Sequence, residues 1–174
     1  MERLLEIVSI EGIHLRYTDL RPIGNIQGIY IAHSRAGPVI LLDKFLLFKP
    51  RDQRCILAHE IGHHFNPPRS GLIAFHRNNL FSDDIKQITI RQDESKALRW
   101  GTSKLMPTDD VWAAIRSSYD TVPLLAEYFY VTEWFVRAKI GFIRVEEREQ
   151  GVRLKWRDII KKTTQTSPNS GLCI

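Results

Sequence analysis

The stretch Cys55-Ile56-Leu57-Ala58-His59-Glu60-Ile61-Gly62-His63-His64 limits the folds open to this chain more than any other. It carries H-E-x-x-H at residues 59–63, among residues that all fit a helix. On a helix, positions i and i+4 lie one above the other, so His59 and His63 can aim their imidazoles at one point. Two neutral imidazoles at that spacing make half of a tetrahedral zinc site, and Glu60 can reach a water on its open side. Ile56, Leu57, Ala58 and Ile61 surround these groups, so the helix is built for burial. Burying a polar group without a partner costs about 2 kcal/mol or more, and a metal removes that cost. The competing reading is a pair of solvated surface histidines; a third ligand downstream would separate the two.

The rest of the composition bounds the answer. A chain of 174 residues with 43% hydrophobic residues supports one domain with a real core. No run approaches the roughly 20 apolar residues of a membrane span. The segment Met1–Val8 is too charged for a secretory leader. Two cysteines, Cys55 and Cys173, make no disulfide framework; Cys55 is expected to pack as a small hydrophobe. A reducing cytoplasm and no membrane partner are the expectations. The net charge of +5 is compatible with nucleic acid, with an acidic protein and with ordinary solubility.

Residues 2–10 predict a short amphipathic helix with Leu4, Leu5 and Val8 on one side, and Ile13–Tyr17 alternates as a half-buried strand does. Residues 27–32 and 38–42 read as two strands of a hairpin joined by the polar loop 33–37. Three short strands before a helix suggest an α+β fold, a small and mostly antiparallel sheet packed on the H-E-x-x-H helix. Asp52, after Pro50, is the expected start signal of that helix. Residues 65–82 are dense in turn formers and suit either a substrate-binding rim or a plain surface loop. His76 lies there and can approach the site or stay solvated.

From Asp83 to Met106 the pattern is helical and stops at Pro107. Glu94, Ala97, Leu98, Gly101 and Leu105 form one stripe, with the carboxylate heading an apolar face. Such a carboxylate needs a partner: zinc is one, and Arg91 or Arg99 is the alternative. Asp93 competes as a ligand but lies about 100° round the helix, off the small-residue stripe. Ala97 and Gly101 would let this helix approach the first closely. Together the two helices offer two His and one Glu, a common catalytic zinc set.

The second half reads as helical. Residues 108–118 suggest a short helix opened by Asp109 and Asp110. Residues 123–140 read as helix, tight turn at Tyr130–Thr132, helix, with Thr132 a good N-cap. This helix-turn-helix-like segment can read DNA, yet Trp134, Phe135 and Val136 argue for packing and base-reading residues are sparse. Residues 142–174 are expected to form a basic extension with a disordered end carrying an exposed Cys173.

Taken together, these segments resemble the ImmA/IrrE family of zinc metallopeptidases over roughly residues 30–141. The resemblance rests on the strand pair, on Ala58–His64, on Glu94-Ser95-Lys96-Ala97-Leu98-Arg99-Trp100, on Leu105-Met106-Pro107 and on Leu125–Thr132. It implies a minimal zincin-like fold, a metallopeptidase domain over 1–141 with a helical subdomain at about 108–141, and Zn2+ as cofactor. It implies that His59, His63 and Glu94 hold the metal and that Glu60 is the general base. Leu98 stands where many relatives carry Asp or Asn, which puts support of a zinc ligand in question. The mobile-element and prophage branch implies an anti-repressor in bacterial cytoplasm that cleaves a helix-turn-helix repressor.

The expected chemistry is hydrolysis of a peptide bond, with Glu60 taking a proton from water and delivering it to the leaving amine. His76 and Tyr128 are candidates for oxyanion or substrate contact. His64 points about 100° from His63 and is expected to support or to face solvent, not to ligate. The substrate strand is expected to add to an exposed sheet edge. The alternative of another class is a non-catalytic module that sequesters a repressor or contacts DNA through 123–140 and the tail. A zinc hydrolase of a non-peptide substrate is the third reading.

Overall fold

The computed structural model describes residues 1–24, 26–34, 37–67, 74–75 and 84–149. The chain forms two compact units that divide after Pro107. The first opens with α1 (Glu2–Ile10), which buries Leu4 and Val8 one turn apart. Leu5 is 43% exposed, so the expected trio narrows to an i, i+4 pair.

Four strands follow: β1 (His14–Thr18), β2 (Gly28–Ser34), β3 (Gly37–Asp43) and β4 (Ala74–Phe75), in the order β1-β3-β2-β4. β2 and β3 are the expected hairpin, paired from Gly28↔Leu42 to Ser34↔Gly37 with a register irregularity between Ile31 and Ser34. The strands reach further into the polar stretch than the alternation suggested, because each extra pair satisfies backbone groups that a loop leaves to water. β4 adds antiparallel to β2, while β1 pairs in parallel with β3. The sheet is therefore mixed, with two of its three pairings antiparallel. Parallel pairing needs a crossover, and here a 3₁₀ turn (Arg21–Ile23) and β2 itself supply the intervening chain.

Side chains alternate across the sheet. Ile29, Ile31 and Leu41 join Leu20 and Ile26 in a small cluster on one face. Gly28, Tyr30, Ile40 and Leu42 occupy the other, and all three side chains there are buried. The buried Asp43 carboxylate closes the end of β3, accepting from Leu20 N at 3.0 Å and Phe45 N at 2.8 Å. A second 3₁₀ turn (Lys44–Phe48) then leads into α2 (Pro50–Phe65).

α2 begins at Pro50 and not at Asp52. Proline suits the first helical position, where its missing N–H is not needed, and Asp52 instead adds negative charge to the first turn. Every residue from Cys55 to His63 is buried, so α2 has no solvent stripe. It packs on β2 and β3 and runs antiparallel to α3 (Asp84–Leu105). Two glycines allow that approach. A Cβ on Gly62 would fall on the Ala97 carbonyl oxygen, and one on Gly101 would lie 2.8 Å from the Ala58 oxygen. Pro107 follows α3, as the sequence indicates.

The second unit holds α4 (Thr108–Arg116), α5 (Val122–Tyr128) and α6 (Glu133–Glu149). Thr121 caps α5, its hydroxyl accepting from Leu124 N at 3.4 Å. The turn before α6 places Tyr130 in the left-handed region at φ +52°. Phe135, Val136, Ile140 and Ile143 are buried along α6, which continues past residue 141, whereas Trp134 stands 36% exposed. Lys139 is also buried, its Nζ donating to Thr108 Oγ1 at 3.0 Å. No described helix is long and apolar enough to cross a membrane. The loop 65–82 lies largely outside the described residues, as do the basic extension from residue 150 on and Cys173.

Candidate metal centre

Three side chains from α2 and α3 converge. His59 and His63, four residues apart, direct their Nε2 atoms to within 3.1 Å of each other. Glu94 meets both from α3: Oε2 lies 3.0 Å from His59 Nε2, and Oε1 lies 3.3 Å from His63 Nε2. The imidazoles are 1% exposed and the carboxylate 26%. Among the described residues this is the group of His, Cys, Asp and Glu able to hold an ion.

The spacing is itself a test of fit. Ligands about 2.05 Å from a tetrahedral zinc sit about 3.3 Å from one another, and the three observed separations, 3.0, 3.1 and 3.3 Å, lie at or just below that value. Two imidazole nitrogens and a carboxylate also form a donor set zinc accepts. The residues present fit the ion.

Glu60 completes the arrangement. It is 0% exposed, and neither carboxylate oxygen has a hydrogen-bond partner among the described residues. Burial, and then the neighbouring Glu94 charge, push its carboxyl well above the usual carboxylate range. A buried carboxylate of this kind costs stability, and such groups concentrate where chemistry needs them.

The remaining candidates fall out differently. His64 lies outside the cluster, as the 100° offset requires. Its Nδ1 is 3.0 Å from the Tyr30 hydroxyl, and its Nε2 is 3.2 Å from Glu11 Oε2. It thus bridges β2 and the residue after α1. Asp93, expected to point away from the packed stripe, is only 4% exposed, with Lys96 3.8 Å from its carboxylate. The buried face of α3 is centred on Ala97, and Asp93, one turn before Ala97, falls inside it. Tyr128 is 52% exposed at the end of α5, its ring 4.7 Å from that of Tyr119. His76 lies outside the described residues.

Sequence reasoning passed over Gly28, Tyr30 and Glu11. A glycine inside a strand was the available signal for Gly28, since it marks close approach of another group. Nothing local singles out Tyr30 or Glu11, which owe their roles to α2 lying across them.

The model of the IrrE N-terminal-like domain, a peptidase family, matches residues 9–140. That span contains all four residues of the centre, nearly all of the first unit and about half of the second. No curated protein and no solved structure matches the chain.

Proposed function

The chain belongs to the IrrE N-terminal-like peptidase family, and from that premise we propose that it is a zinc-dependent endopeptidase that cleaves a helix-turn-helix transcriptional repressor. The observation that carries the catalytic part is the convergence of His59, His63 and Glu94 at ligand spacing beside the buried carboxylate of Glu60. The repressor, and with it an anti-repressor role in bacterial cytoplasm, is supported by the resemblance to the mobile-element and prophage branch.

Zinc, when bound, would supply Lewis-acid chemistry to a water and a peptide carbonyl. His59, His63 and Glu94 would hold it. Glu60 accepts the proton of the attacking water and later delivers it to the leaving amine nitrogen. The low exposure of both imidazoles and Glu60 keeps bulk water from that exchange. Tyr128, and His76 from the loop after α2, remain the proposed candidates for contact with substrate or oxyanion.

The test takes as substrate any helix-turn-helix protein found encoded beside this chain. Incubated with the purified protein, it should yield two fragments whose masses sum to the intact repressor plus water. Cutting should stop with 1,10-phenanthroline, return with added zinc, and fail with Glu60→Gln. A complex that forms while the repressor stays intact would replace the peptidase by a sequestering module. Cleavage that survives Glu60→Gln would remove Glu60 from the mechanism.

A further inference from the structure

We propose that Gly28 is a positioning residue for Glu60: the side chain it lacks leaves the slot on β2 in which the carboxylate rests. This deepens the peptidase reading above and rests on it for the catalytic consequence, but not for the geometry.

Gly28 sits on the α2-facing side of β2, paired with Leu42 of β3. Ile56 and Glu60 stand one turn apart on α2, so both point at the same place on the strand. A Cβ built on Gly28 would lie 2.5 Å from Glu60 Oε1, 2.9 Å from its Cδ and 2.8 Å from Ile56 Cγ2. Real Cβ atoms do not approach other atoms so closely. Gly28 is not among the residues with positive φ, so its backbone conformation is open to any amino acid. The site needs glycine for space.

Three observations make the slot the device that places the carboxylate. Neither Glu60 oxygen has a hydrogen-bond partner among the described residues, so among them it is packing that holds the carboxylate. Glu60 and Ile56 are 0% and 1% exposed, so neither can swing into solvent to admit a methyl group. The helix cannot retreat freely either, because Gly62 already brings α2 against the Ala97 carbonyl. A methyl on Gly28 therefore displaces the carboxylate itself. Misplacing a reacting group by about 1 Å can cost about 100-fold in rate.

One arm of the test needs neither metal nor substrate. In chelator-treated protein, Gly28→Ala should lower the urea midpoint, and the loss should shrink by at least half in a Glu60→Ala background. An equal loss in both backgrounds, or Gly28→Ala unfolded with and without Glu60→Ala, would overturn the assignment of Glu60 as the slot's occupant. The other arm reads catalysis on the best-cleaved member of a quenched-fluorescent peptide library. Gly28→Ala should lower kcat 10- to 100-fold with KM within twofold and cobalt(II) affinity within threefold of wild type. Adding Ile56→Ala removes the second clash and should leave kcat low. If that double variant regains wild-type kcat, Gly28 serves only Ile56 packing and the positioning role falls. A wild-type protein that cuts no peptide and no repressor would sink the peptidase reading, while the urea comparison would still decide the slot.

Discussion

α2 and α3 both give to the centre, yet they give it differently. α2 sinks His59, Glu60 and His63 to 1% exposure or less in a stretch, Cys55–His63, that is buried throughout, whereas α3 extends Glu94 from a half-covered face. The first arrangement makes the polar groups part of the core, so their cost is carried by the whole fold. The second leaves the carboxylate cheaper to lose and easier to adjust. A site assembled this way has one rigid wall and one adaptable ligand.

The comparison breaks most readily at Glu60. Glu60→Gln should lower peptide cleavage by about 10²–10⁴-fold, the range for losing a general acid–base group, with zinc content by elemental analysis unchanged. The same variant should raise the urea midpoint of the metal-free protein at neutral pH. The sign follows from linkage. With the folded-state value raised by burial and Glu94, the unfolded chain ionises first as pH rises, so wild type loses stability above the ordinary carboxylate value. Glu60→Gln should not show that loss, and parallel pH profiles would contradict the buried, ionisable state.

Next in size is Glu94→Gln. It should weaken zinc binding by more than the roughly 100-fold that follows loss of a ligand's supporting partner, measured by competition with a chromogenic chelator. The metal-free midpoint should barely move, in contrast to what disturbing α2 does. Gly62→Ala is the matched disturbance of α2. Its Cβ meets backbone and not a flexible side chain, so overpacking of about 3 kcal/mol is expected in urea unfolding. The smallest effect belongs to Tyr30→Phe, which removes the hydroxyl at His64 and should cost about 1 kcal/mol, with zinc affinity kept.

The parts legible in the sequence were those with a local cause. His59 and His63 announce themselves by helical spacing, Glu94 by a carboxylate on a small-residue stripe, and the hairpin by two apolar runs around a polar loop. What stayed hidden depends on which distant segments meet. The parallel pairing of β1 with β3, the burial of Asp93 and the contact between Gly28 and Glu60 are set by register and helix approach. Nothing within a window of one turn encodes them. The all-round burial of α2 was half visible, in the apolar residues flanking the histidines, but its sequence carries no stripe to say which side faces the sheet.

The bridge through His64 reaches furthest along the chain. One ring nitrogen meets Tyr30 and the other meets Glu11, so the stretch ahead of β1 is tied directly to the helix that bears His59 and His63. Leu4 and Val8, upstream of the region the family model spans, anchor that stretch. Trimming the amino terminus to tidy an expression clone would thus cut a guy-rope of α2, and such a shortened protein would be a poor surrogate for the intact one.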